Sequence, residues 1–196
     1  MDAHSGVPAL RPVADPAVVL TTGAERRLAA EHWLLSAARS RPRARQEWTT
    51  MGVAMLPLGG LFSAVRLPAP LVLAASGERL APATEVDAFL ADALDGPVIC
   101  DPHSRVYYCL VPGSMPRTWT AAADDWTTLN VAVLGRDVLL GVPQLDRSEF
   151  NPTTYESYWS VPMAAAGALC APLTVARLIS AGMHALDQMA EVGPGA

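Results

Sequence analysis

Apolar residues recur along this chain with two different periods, and the alternation between them outlines the elements. Residues 24–38 are good helix formers, with Leu28, Trp33, Leu34 and Leu35 supplying an apolar side, and Pro42 should break the helix they form. Two short apolar runs, 53–58 and 61–67, predict central strands; the Gly59-Gly60 pair between them is the punctuation of a hairpin or a tight strand connection. Thr84 then opens a helix as its cap, with Val86, Phe89, Leu90 and Ala93 at helical spacing and Gly96-Pro97 as the stop. Strands are predicted at 98–100 and 106–111, and a short helix within 117–130. Two more strands, 131–134 and 138–142, flank a turn at Gly135-Arg136-Asp137, and another covers 158–161. The last predicted element, 172–189, is a long amphipathic helix whose face is Val175, Leu178, Ile179, Gly182, Leu186 and Met189.

This order shows no repeat and no regular strand–helix alternation, which predicts an α+β fold. We expect a single domain over about 23–190, with a small central sheet, mostly antiparallel or mixed, and flanking helices. Residues 1–22 lack a period and read as a flexible leader, and 191–196 as a flexible tail. No apolar run approaches the ~18 residues of a membrane span. The first residues lack a basic end followed by an apolar stretch, so the expected compartment is the cytoplasm, with no membrane partner. All 14 basic residues are arginine, and the net charge of −5 argues against indiscriminate binding of duplex nucleic acid.

Candidate chemistry concentrates in "VICDPHSRVYYC", residues 98–109, which holds two thiols, a carboxylate and an imidazole. Read as a hairpin turning at Asp101-Pro102-His103-Ser104, it sets Cys100 opposite Arg105 or Val106 and Cys109 opposite Gly96 or Pro97. The cysteines are then three or four residues apart along the ladder, roughly 10–13 Å, too far for a shared metal or a disulfide. On this reading they are buried small hydrophobes, Asp101 caps the turn and His103 sits exposed at its tip. Cys170 completes an odd number of thiols, as expected of a reduced chain with incidental cysteines. No phosphate-cradling glycine loop, nucleophile elbow or zinc-helix motif occurs. The arginine run Arg39, Arg41, Arg43, Arg45, with Trp48 nearby, is either a nucleic-acid patch with a stacking ring or an exposed interhelical segment with Trp48 in the core.

In order and spacing, "GVAMLPLG", "LFSAVRLP", "GPVICDPHSRVYYCLVPGS", "VLLGVPQLD" and "YWSVP" resemble the strands and loops of the actinobacterial bifunctional DNA primase/polymerase N-terminal domain family. The likeness runs from about Trp48 to Pro162. The resemblance implies an archaeo-eukaryotic primase-like core, but the chemistry of that family is missing. Where its metal-bearing strand carries paired acids, this chain has Phe62-Ser63-Ala64-Val65-Arg66-Leu67, and where it has a histidine, Val106-Tyr107-Tyr108 stands. Two-metal nucleotidyl transfer needs those carboxylates; an arginine there would repel a divalent cation and can bind phosphate itself.

The expectation is therefore a catalytically inactive primase/polymerase-like protein, with no catalytic residue, metal or cofactor assigned. It would act as a regulatory or adaptor module that binds a nucleotide, single-stranded nucleic acid or a protein partner. Arg66, Tyr107 and Arg136 are the candidate lining of a phosphate or nucleotide pocket; an exposed strand arginine and a core-edge tyrosine are the plainer alternative. Two other functions stay open: a residual metal-dependent nucleotidyl transferase using, for instance, Asp101 with Asp137, and a homo-oligomeric interaction module built on the C-terminal helix and the tryptophans.

Overall fold

The computed structural model describes residues 22–192, so apart from Thr22, Glu191 and Val192 the expected leader and tail lie outside the described residues. Helix α1, Gly23–Ala37, begins with a capping box: Thr22 Oγ1 accepts from the Glu25 N–H at 3.2 Å, and the Glu25 carboxylate accepts from the Thr22 N–H at 2.7 Å. It buries Ala30, Leu34 and Leu35, while Leu28, expected on the same side, is 52% exposed. Pro42 does not simply end this helix; it opens another, α2, Arg41–Met51, capped by Ser40. A first-turn N–H has no intrahelical acceptor, so a proline there costs nothing. Gly52 closes α2 in the left-handed region (φ 71°) and leads into β1, Val53–Pro57.

Strand β2, Phe62–Pro68, runs directly into α3, Ala69–Ser76, a helix that the sequence does not predict. Helix α4, Thr84–Leu94, starts where expected, but Ala83 is its cap and Thr84 makes no capping bond. Strands β3, Val98–Asp101, and β4, Val106–Pro112, follow, then two short helices, α5, Met115–Thr118, and α6, Thr120–Trp126, and a 3-10 turn at Thr127–Leu129. The chain finishes with β5, Ala132–Leu134, β6, Leu139–Pro143, β7, Tyr158–Val161, and α7, Pro172–Val192.

Every pairing is antiparallel, in a five-stranded sheet ordered β5-β2-β4-β3-β7 and a separate two-stranded sheet of β1 and β6. The expected neighbours β1 and β2 do not form a hairpin, and neither do β5 and β6. Gly59-Gly60 and Gly135-Arg136-Asp137 are instead the corners where the chain passes from one sheet to the other. The two corners touch: a Cβ on Gly59 (φ 83°) would stand 2.6 Å from the Arg136 amide.

The large sheet divides the core. On its first face, Val65, Leu67, Val98, Cys109 and their neighbours pack under α3, α4 and α7. On the second, Phe62, Ala64, Ile99, Leu110 and Trp159 pack under α1, α2 and the small sheet, with Trp33 of α1 lying 5.7 Å from the Phe62 ring. The protein is thus one compact α+β domain of three layers.

Candidate functional site

Strand register decides which candidate residues share a surface. Arg66 pairs with Tyr108 across β2–β4 and with Ala132 across β2–β5, so Arg66, Tyr108 and Ala132 point to the second face. Tyr107 pairs with Leu67 and points to the first face, where it is 1% exposed. Arg66 and Tyr107 therefore stand on opposite sides of the sheet and cannot line one pocket. The tyrosine beside Arg66 is Tyr108. Arg136 is exposed in its corner; Leu134 is opposite Ala64, so Arg136 sits toward the Phe62 end of β2, roughly 13 Å along the strand from Arg66.

Arg66 is half-buried, and its guanidinium is poorly satisfied. Nη2 donates to the Asn130 carbonyl at 3.3 Å, while Nε is shut off from water with no acceptor. None of the ion pairs among the described residues includes it. Burial raises the Tyr108 phenol pKa, Asp101 adds to that rise and Arg66 opposes it, so both charges act on this phenol.

The arginine run belongs to the helical corner between α1 and α2. Arg39 and Arg41 are exposed; Arg43 pairs with Glu47 at 2.8 Å and Arg45 with Glu31 at 3.7 Å. Trp48 is 5% exposed and its indole donates to the Val142 carbonyl at 2.9 Å, so it is a core residue and offers no face for stacking. A cleft of about 220 Å³ separates this corner from the small sheet, between Arg39, Arg43 and Glu47 on one side and Met55, Pro57 and Leu139 on the other.

The 98–109 hairpin turns through residues 102–105, with Arg105 at φ 54°. The ladder is tighter than expected: Cys100 faces Tyr107 and Cys109 faces Val98, two residues apart, or about 7 Å. Asp101 accepts from the Ser104 N–H at 3.2 Å, the turn-capping role expected of it, and His103 is exposed at the tip. Among the described residues no three His, Cys, Asp or Glu side chains cluster to hold a metal. Asp101 and Asp137 lie at opposite ends of β2, roughly 20 Å apart, beyond any shared cation pair.

One polar cluster escapes sequence reasoning altogether. Asp87 of α4 accepts from the Tyr158 hydroxyl at 3.0 and 3.2 Å and from the Ser160 hydroxyl. Beneath it, the row Leu67, Tyr107, Cys100, Tyr158 crosses the first face. Burial pushes the Cys100 thiol up to about 12, an inert thiol at neutral pH, and the Tyr107 hydroxyl has no partner. Burial also raises the Asp87 pKa above its ordinary value, against the hydrogen bonds from Ser160 and Tyr158. The folded state binds this proton more tightly than the unfolded chain does. The resulting stability is full below about pH 3.8 and is lost as pH rises through the higher folded value. Asp87→Asn is therefore expected to remove that decline: in urea unfolding at several pH values, the wild type should lose stability relative to the variant as pH rises from 3.8. Parallel curves would show that another group carries the effect.

The α7 face is used in the core, where Val175, Leu178 and Ile179 are buried. Trp119 and Trp126, 6.2 Å apart, pack half-buried against the same core. No helix among the described residues is long and apolar enough to cross a membrane. Comparison with family models, with curated proteins and with solved structures finds no match to this chain.

Proposed function

We propose that this chain is a non-catalytic nucleotide-binding module with a primase/polymerase-like core, and that its ligand's phosphate is taken by Arg66. The supporting observation is the unmet demand of that side chain. A half-buried guanidinium gives up hydration, and a cation in such a setting is ordinarily paired. Arg66 has one carbonyl and no carboxylate. A phosphate oxygen supplies the missing acceptor and charge, and guanidinium geometry suits it bidentately. Tyr108, the cross-strand neighbour, offers a phenol to the same ligand. The carboxylates that two-metal catalysis would require are replaced in β2 by Ser63 and Arg66.

A thermal-shift panel of nucleoside triphosphates, with and without Mn²⁺, tests this on the wild type and Arg66→Gln. Nucleotide at 100 times its Kd should stabilise the wild type by about 2.7 kcal/mol without metal, and the variant not at all. Since Arg66 satisfies its donors poorly, the ligand-free variant should melt at or above the wild-type temperature. Stabilisation that requires Mn²⁺ would favour the nucleotidyl transferase; no shift with any nucleotide would overturn the proposal.

A further inference from the structure

We propose that Cys109 and Cys170 are a redox modification site, a thiol pair set to close an internal disulfide between β4 and the segment entering α7. The backbone brings them together. The Cys170 N–H donates to the Leu110 carbonyl at 2.8 Å, and the Pro97 carbonyl takes both the Leu110 N–H at 3.0 Å and the Cys170 thiol at 3.5 Å. The Cys170 backbone thus sits on Leu110, the residue next to Cys109, and both cysteine side chains are wholly buried in the same core cluster beneath α7. Gly96 makes room for this approach: a Cβ there would stand 2.5 Å from the Cys170 amide nitrogen and 2.8 Å from its sulfur. Cys170 is also the first cause of the raised Cys109 pKa, ahead of burial. The third thiol, Cys100, is turned toward Tyr107, Tyr158 and Asp87 instead.

Access to the pair is unequal. Cys109 lies in β4, between β2 and β3, and cannot leave without unfolding the sheet. Cys170 lies in 162–171, which has neither helix nor strand, so local opening exposes Cys170 first. The oxidant is a low-molecular-weight disulfide, RSSR. In the open form the Cys170 thiolate attacks one sulfur of RSSR, forming Cys170–S–S–R and releasing one thiolate. On closing, the Cys109 sulfur attacks the Cys170 sulfur, its proton passing to the departing R–S group, and the second RSH leaves. The protein loses two electrons and two protons, and the oxidant leaves as two RSH.

The full chain is incubated with oxidised glutathione in sub-denaturing urea, which permits opening, then alkylated and mapped by mass spectrometry. The expected result is a Cys109–Cys170 linked peptide lacking two hydrogens, a thiol count falling from three to one, and a melting temperature about 10 °C higher that dithiothreitol reverses. Cys170→Ala should keep both remaining thiols free. Three alkylated cysteines in the wild type, a glutathione adduct that never resolves, or a link to Cys100 would each overturn the assignment. The wild-type map is decisive even if the variant folds poorly.

Discussion

Trp159→Ala is expected to lower the free energy of unfolding by about 3–5 kcal/mol, the range for deleting a buried tryptophan. Trp159 is fully buried on β7, the outermost strand of the large sheet, and its indole donates to the Pro143 carbonyl of β6 at 3.1 Å. Its own N–H donates to the Arg147 carbonyl at 2.7 Å. Trp48 of α2 donates to Val142, the preceding carbonyl of β6. Two indoles from distant parts of the chain thus fasten the small sheet to the rest of the domain. Alanine removes the volume and strands the Pro143 carbonyl together. Trp159→Phe separates the two losses: most of the volume returns and the unpaired carbonyl remains, at about 1–3 kcal/mol. Urea titration followed by circular dichroism gives both values, provided the denaturant slope is unchanged. A loss below about 1 kcal/mol for alanine would mean that β6 is not anchored through Trp159.

Element identity is legible in the sequence wherever one period dominates. The 158–161 strand and the start of the last helix at Pro172 fall where the pattern puts them. Two helices hide behind prolines. Pro42 and Pro70 each sit in a first turn, where proline is welcome, although the residue alone reads as a breaker. Helix α3 also lacks an amphipathic period, because its Leu71, Val72 and Ala74 are all buried. Strand pairing is less legible than strand position. A glycine pair between two apolar runs describes a sharp corner, and a corner that joins two sheets has the same local chemistry as a hairpin.

The candidate site shows the cost of that gap. Arg66 stands out in sequence as the one charge in an apolar strand. Which tyrosine accompanies it depends on hairpin register, and a slip of one residue exchanges the two faces. The left-handed Arg105 helps set that register, and an arginine, unlike the Asn130 and Asp137 that also take a positive φ, does not announce one. The Asp87 cluster is harder still to foresee, since Asp87 and Ser160 lie 73 residues apart. Cys109 and Cys170 meet for the same reason: β4 and the entry to α7 come together only in the packed domain.

The tightest helix contact sets the second large effect. Gly182 of α7 is buried against α3, and a Cβ there would stand 2.6 Å from the Leu71 carbonyl oxygen and 2.8 Å from a Leu71 methyl. The oxygen belongs to backbone, so relief requires one helix to move. Gly182→Leu is expected to cost about 2–3 kcal/mol, the overpacking penalty, even though leucine gains almost 1 kcal/mol over glycine in helix propensity. Ser180→Ala, on the exposed side of the same helix, isolates the propensity term and should stabilise by a few tenths of a kcal/mol. If Gly182→Leu proves neutral or stabilising in the same urea titration, α3 and α7 are not in close contact. A large loss at 182 beside a small gain at 180 would mean that glycine is kept there for the approach of α3, at the expense of helix propensity.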